Sequence, residues 1–261
     1  MFDIHSHVLF EIDDGAKSLD EAVELCRMAH EDGTQAIVAT PHIRESVWPN
    51  NRARIEQRLA DLRGELARRA VPVEVVLGCE VYFDAAMVEA VRSGAYPTYA
   101  DRQRHVLFEL PTHFVMRQVQ EVVFELRTSG ITPVLAHPER NAQVMKDMDA
   151  VRDLVRMGTV LQLTAMSVTG HFGRQAKRAA DLLLDEELAQ VVASDAHSPR
   201  FRSTRLRAAY DRVARRWGQE RAETLFVSNP RRVVAGEEID VPPREPRRPG
   251  FFQRLSRALA S

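Results

Sequence analysis

The sequence predicts a single-domain α/β fold, a (β/α)7 barrel of the TIM type. Three observations carry that expectation. Short apolar or β-branched runs alternate with helix-periodic segments about seven times along the 261 residues, and such alternation calls for a parallel sheet. Closing that sheet into a barrel is the economical solution at this length. Gly33, Gly130 and Gly158 each stand where a helix hands over to a strand, as a helix stop should.

The strand runs are residues 2–4, 36–40, 73–81, 105–110, 132–136, 159–164 and 190–194. Each is short and rich in apolar or β-branched side chains. The clearest helix follows the first run. Ser18-Leu19-Asp20-Glu21 has the capping-box pattern, and Leu19, Ala22, Val23, Cys26 and Ala29 recur at three- and four-residue steps before Asp32-Gly33 stops it. Further helices are predicted over 52–69, 85–93, 115–129, 150–157, 172–187 and 204–217. No internal repeat or linker divides the chain, so residues 1–240 form the expected domain.

The composition changes only near residue 236, and 241–250 is rich in Pro and Arg. Residues 251–261 have the pattern of a short helix, with Phe251, Phe252, Leu255 and Leu259 on one side and Arg254 and Arg257 flanking it. A flexible basic tail is the first expectation for 241–261. A weak contact with an anionic membrane surface or a partner is the sharper one.

Hydrophobic residues make up 44% and charged residues 28%, enough for a sizeable core. With 36 basic against 37 acidic residues, nothing calls for a nucleic acid or another polyanion. Two cysteines, Cys26 and Cys79, are too few for a disulfide framework. The N-terminus lacks a signal-peptide pattern, and no run has the roughly 20 apolar residues that cross a bilayer. A soluble cytoplasmic protein is expected, the tail allowing a peripheral place at the inner face of the cell membrane.

The chemistry lies at the strand ends. His5 and His7, two positions apart, point the same way from one strand, close enough to share a metal ion. Later runs end in His42, in Glu80, in Glu109, in His137-Pro138-Glu139-Arg140 and in Asp195-Ala196-His197, with Asp13-Asp14-Gly15 in the first loop. In a parallel barrel all these ends share one mouth. Mixed imidazole and carboxylate donors suit divalent manganese, iron or zinc, and they are too numerous for one ion. Two or three ions with a bridging carboxylate is the arithmetic outcome. The run at 159–164 alone ends without a ligand-type side chain, and His30, His105, His113 and His171 fall outside the pattern.

His5-Ser6-His7, Ile12-Asp13-Asp14-Gly15-Ala16, Ala39-Thr40-Pro41-His42, Gly78-Cys79-Glu80, Phe108-Glu109-Leu110, Ala136-His137-Pro138-Glu139-Arg140 and Ser194-Asp195-Ala196-His197 together resemble the polymerase-and-histidinol-phosphatase (PHP) superfamily. More narrowly, they are similar to the bacterial manganese-dependent protein-tyrosine phosphatases of capsular and exopolysaccharide synthesis. The resemblance runs from residue 1 to about residue 235. It implies the distorted seven-stranded PHP barrel and three metal positions. His5, His7, Glu80 and Asp195 would hold one ion, Glu80, Glu109 and His137 a second, and Asp14, His42 and His197 a third. Manganese is the implied metal, with iron, zinc or cobalt as substitutes. Asp13 is the rival for Asp14's place.

The implied reaction is attack of a metal-bridging hydroxide on a phosphate ester, with Arg140 and Arg202 binding the phosphate; Arg200 competes with Arg202 for that role. Neither cysteine begins a Cys-x5-Arg motif, because Asp32 follows Cys26 and Ala85 follows Cys79 at the required spacing. The implied substrate is the phosphotyrosine-bearing tail of a bacterial tyrosine kinase that controls polysaccharide export. The alternatives are a small-molecule phosphomonoesterase of the histidinol-phosphatase kind and a non-catalytic module that docks on the kinase. Assembly into a homo-oligomer is left open.

Overall fold

The barrel has seven parallel staves, and two of them are broken. The computed structural model describes residues 1–239, so the expectations for the tail at 241–261 lie outside the described residues. The chain begins with β1 (Phe2–Ser6), α1 (Leu19–Glu31), β2 (Ala36–Ala39), β3 (His42–Ile43), α2 (Arg52–Arg68), β4 (Glu74–Leu77), β5 (Glu80–Tyr82) and α3 (Met87–Arg92). It continues with β6 (His105–Glu109), α4 (Met116–Thr128), β7 (Thr132–Ala136), α5 (Met148–Arg156), β8 (Val160–Thr164), α6 (Ala165–Thr169) and α7 (Gly173–Asp185). β9 (Val191–Ala193), α8 (Arg207–Trp217), α9 (Gln219–Glu223) and α10 (Asn229–Ala235) complete it.

The pairing order is β1-β2-β4 in one sheet and β3-β5-β6-β7-β8-β9 in the other. The run expected at 36–40 breaks after Ala39, because Pro41 has no N–H for a ladder. The run expected at 73–81 breaks at Gly78-Cys79. A Cβ at Gly78 would lie 2.7 Å from Val38 Cγ1, so the two staves approach too closely there for any larger residue. Below the kinks β2 pairs with β4; above them β3 pairs with β5, with His42 opposite Glu80.

β1 and β9 close the circle. Asp195 N–H donates to His5 O and His7 N–H to Ala196 O, both at 2.8 Å. Below them the buried Asp3 carboxylate accepts from Ser194 N (2.9 Å) and Ser194 Oγ (2.6 Å). Burial pushes the Asp3 carboxyl up to about 6 against the pull of these bonds.

Ile4, Val38, Val76, Leu107, Val134, Val160 and Val191 form one apolar cluster with Tyr99 and Val233. A cluster that draws a residue from every stave is an interior layer of the barrel. The larger core lies between the staves and the helices. Ser18 caps α1 as expected, its Oγ accepting from Glu21 N at 3.2 Å, while the Glu21 carboxylate accepts from Lys17 N. The sequence pattern predicts no element over 218–235. There α9, a π turn at Thr224–Ser228 and α10 run on, and Asn229 Nδ2 ties them to Gln190 O at 2.9 Å.

Two outcomes are expected. Asp3→Ala strands the buried Ser194 donors and should cost about 3 kcal/mol of stability in urea unfolding. His105, at the start of β6, is buried with neither ring nitrogen hydrogen-bonded. Burial, then the charges of Arg104 and Arg127, push it from 6.5 down to about 4. The unfolded chain takes up this proton near pH 6.5 and the folded one only near pH 4, so stability falls as the pH drops between those values. His105→Phe should remove up to about 3 kcal/mol of that loss, read from unfolding curves at pH 7 and pH 4.

Candidate metal centre

The upper ends of the staves bring nine titratable donors to one mouth. His5 Nε2 and His7 Nε2 are 3.3 Å apart, and each is 3.4 Å from Glu80 Oε2. Asp195 Oδ1 lies 3.5 and 3.6 Å from the same two nitrogens. Donors held about 2.1 Å from a tetrahedral ion stand about 3.4 Å from one another, so His5, His7 and Glu80 are spaced as the shell of one cation would be, with Asp195 beside the two imidazoles.

Glu80 faces a second group with the same carboxylate. Its Oε1 is 3.0 Å from His137 Nε2, and its Oε2 is 3.0 Å from His42 Nδ1. Glu109 lies beside both imidazoles, with Oε1 3.4 Å from His42 Nδ1 and Oε2 4.0 Å from His137 Nε2. In a third group Asp14 Oδ1 is 3.6 Å from His42 Nε2 and 3.4 Å from His197 Nε2. The grouping differs from the partition implied by resemblance. His7 also belongs with Asp14, His42 and His197; His42 rather than His137 belongs with Glu80 and Glu109; and Asp195 falls outside the group of His5, His7 and Glu80.

The donor set fits divalent metals by an independent observation. Glu80 Oε2 and His42 Nδ1 are buried and have no hydrogen bond, although they face each other. An unsatisfied carboxylate oxygen in the interior is costly, and a cation would satisfy both atoms. Electrostatics agree. Burial alone would raise the Glu80 carboxyl, yet the imidazoles of His5 and His42 hold it well below the usual range. Glu109 is pushed up by burial and by the Glu80 charge, and His197 is pushed down to about 4 by burial and by His7.

The imidazoles are aimed from behind. His5 Nδ1 meets Gln162 Oε1 at 2.7 Å, His7 Nδ1 meets Asp13 Oδ2 at 2.8 Å, and His197 Nδ1 meets Asp195 O at 3.0 Å. Each contact leaves Nε2 directed into the mouth, the usual support of a ligating histidine. Asp13 therefore stands behind His7, also accepting from Gly15 N and His42 N, while Asp14 faces His42 and His197. Gly15 cannot be replaced cheaply, since a Cβ there would lie 2.2 Å from His7 O. Trp48 stacks on His42 with ring centroids 4.7 Å apart. His137 and Asp195 both hold positive φ, 34° and 53°, a strained conformation that the surrounding contacts impose.

Arg140, on the Pro138–Arg140 turn, and Arg202 both donate to Asp195 Oδ2, Arg202 at 2.5 Å. Their guanidinium carbons lie 4.7 and 5.6 Å from the centre of the Phe172 ring. Arg200 is exposed and makes no such contact. His30, His113 and His171 are exposed, away from these groups. Both cysteines are buried and free, and burial pushes the Cys26 thiol up to about 12.

The strand-end pattern does not single out Gln162, Phe172 or Trp48. Gln162 stands as a lone polar side chain between Leu161 and Leu163, in the strand that ends without a ligand-type residue. Glu139 has a structural task. It is buried and accepts from Thr164 N at 3.0 Å, tying the His137 turn to the end of β8. Gln162→Leu should weaken metal binding about 10–100-fold in calorimetric titration while leaving the fold intact by circular dichroism.

The chain matches the family described as Capsular polysaccharide synthesis, CpsB/CapC, over residues 1–235. It is 32% identical to the tyrosine-protein phosphatase CpsB of Streptococcus pneumoniae over 244 residues, covering 92% of this chain and 100% of that one. With the tyrosine-protein phosphatase YwqE of Bacillus subtilis it shares 30% over 246 residues, 94% of this chain and 96% of that one. Among solved structures it matches that of YwqE from Bacillus subtilis and CpsB from Streptococcus pneumoniae, described as metal-dependent tyrosine phosphatases. That match has a TM-score of 0.90 at 29% identity and covers 95% of this chain and 100% of the other. The lactonase Lmo2620 of Listeria monocytogenes shares the fold alone, with a TM-score of 0.60 at 10% identity over 91% of this chain and 95% of that one. The chain therefore belongs to the CpsB/CapC family of capsular polysaccharide synthesis.

Proposed function

We propose that the protein is a metal-dependent protein-tyrosine phosphatase that acts on the phosphotyrosine-bearing tail of a bacterial tyrosine kinase controlling capsular or exopolysaccharide synthesis. The observation that carries this reading is the meeting of two guanidinium groups, Arg140 and Arg202, on one carboxylate of the donor cluster. A mouth built only to store cations would not hold two arginines over them. Fixed guanidiniums beside a cation cage are what a phosphate ester requires.

His5, His7, Glu80 and Asp195 would hold one ion, and Glu80, Glu109 and His137 a second, with His42 Nδ1 alongside. Asp14, His42 and His197 would hold a third, His7 lying next to it. Manganese is the expected metal, with iron, zinc or cobalt as substitutes. When bound, such ions lower the pKa of water and neutralise charge on the phosphoryl oxygens.

The residues of the chain do the rest. Arg140 and Arg202 would leave Asp195 Oδ2 and bind the non-bridging oxygens, each planar donor fixing the phosphate's orientation. Phe172 keeps both guanidinium groups in place beneath the incoming ester. Phe201, next to Arg202 in the chain and 82% exposed, offers an apolar surface at the rim for a tyrosyl ring. No helix among the described residues is long and apolar enough to cross a membrane, which suits a cytoplasmic enzyme meeting a kinase tail.

On the manganese-loaded protein, a phosphotyrosine peptide should be turned over in preference to histidinol phosphate. The opposite preference would contradict the reading. Arg140→Ala should lower kcat/KM for the peptide by about 100–1,000-fold while elemental analysis finds the metal still bound. His5→Ala should lose both metal and activity.

A further inference from the structure

One tier above the donors, two neighbouring staves carry a second pair of facing side chains. Glu80 and Tyr82 stand two positions apart on β5, so both point to the same side of the sheet. Tyr82 is also the register partner of Glu109 on β6, itself a donor. Its side chain therefore stands at the mouth, about 7 Å further out along the stave than Glu80. On the adjoining stave Arg44 follows His42 by two residues. Its guanidinium carbon lies 4.1 Å from the centre of the Tyr82 ring. His42 and Glu80 are register partners below, and Arg44 and Tyr82 meet above them.

The backbone fixes Arg44 in this place. Arg44 and Trp48 form an antiparallel bridge in which Arg44 N donates to Trp48 O at 3.1 Å and Trp48 N to Arg44 O at 2.7 Å. The Trp48 ring lies on His42 at an interplanar angle of 9°. Asn50 Nδ2, just beyond, donates to His42 O at 2.8 Å and to Ile12 O at 2.9 Å. The small hairpin is thus fastened to a metal donor. The half-buried Arg44 has an unusual environment for a third arginine at this mouth. Arg140 and Arg202 both end on the Asp195 carboxylate. Among the described residues, no carboxylate, carbonyl or second ring meets the guanidinium of Arg44, which lies on Tyr82 alone.

We infer that Arg44 is a specificity residue whose guanidinium, backed by Tyr82, is a flat platform for the aryl ring of the substrate. The inference rests on the phosphatase reading above and names what selects an aryl ester over an alkyl one. A phosphate seated on the donors leaves the ring of a phosphotyrosine one tier further out, the level at which Arg44 and Tyr82 stand. A planar guanidinium stacks on aromatic faces, which the compact ammonium of a lysine does less well. The stack on Tyr82 and the hairpin hold that plane before substrate arrives, so little side-chain freedom is lost on binding. The role is selection rather than chemistry, since Arg44 makes no contact with the donors.

The test compares the manganese-loaded full chain with Arg44→Ala and Arg44→Lys. The ligands are a phosphotyrosine peptide, phenyl phosphate and inorganic phosphate, the last of which has no ring. Arg44→Ala should raise KM for the peptide and for phenyl phosphate by about three- to tenfold, with a smaller change in kcat. The inhibition constant of inorganic phosphate should stay at the wild-type value, and elemental analysis should find the same metal content. Arg44→Lys keeps the charge without the plane and should not restore the wild-type KM. Binding of a fluorescent phosphotyrosine peptide, read by anisotropy, gives the same comparison without turnover. If no phosphate ester is hydrolysed yet Arg44→Ala still weakens peptide binding, the phosphatase reading fails and the aryl platform stands. An unchanged KM and peptide affinity in Arg44→Ala would overturn the proposal. Full restoration by Arg44→Lys would also overturn it, marking a simple charge effect. So would an equal loss for inorganic phosphate, or a loss of metal, either of which would make Arg44 a support for the donors instead.

Discussion

The structure is organised around one carboxylate removed from water. Glu80 has no solvent exposure, and four imidazoles, His5, His7, His42 and His137, lie within 3.0–3.4 Å of its two oxygens. A buried anion of this kind is tolerable only when positive charge surrounds it. Divalent ions held between these imidazoles, which ligate in their neutral form, would supply that charge. Because its oxygens face two different donor groups, Glu80 links them as a bridging ligand would.

The distortions of the barrel follow from delivering that carboxylate. Unbroken staves would carry residues 36–43 and 74–82 straight up the wall. The breaks at Thr40-Pro41 and Gly78-Cys79 set β3 and β5 as a separate pair, in which His42 and Glu80 are partners in register. Asp3 holds β1 against β9 below the mouth, which keeps His5 and Asp195 on adjacent staves. The fold and the site are thus stabilised by different groups. Asp3 and the interior apolar layer hold the barrel, whereas Gln162 and Asp13 aim the imidazoles.

Much of this was legible in the residue order, because parallel staves put their C-terminal ends on one face and the donors recur at those ends. The nine expected donors do lie together. The finer partition was not legible. A strand pattern says which end a histidine occupies, but not that His42 would face two groups with its two nitrogens. The two breaks were hidden for the same kind of reason. Residues 73–81 read as one apolar run, and only the close approach of Val38 to Gly78 explains the kink. The rivalry between Asp13 and Asp14 needed the third dimension, since both fall in one turn and only one lies behind His7. The helices between 218 and 236 carry weak local periodicity and are held by tertiary contacts from Asn229 and Val233. Arg202 rather than Arg200 reaches Asp195 because the loop turns back on itself, with Ser198 opposite Arg202.

The most direct test of the central role of Glu80 is metal stoichiometry by elemental analysis after manganese reconstitution, comparing the wild type with Glu80→Gln and Asp14→Asn. Glutamine keeps the shape but removes the charge shared between two donor groups. The account predicts that Glu80→Gln loses two of the ions held by the wild type and Asp14→Asn only one. An undiminished ion count in Glu80→Gln, with wild-type affinity, would contradict it.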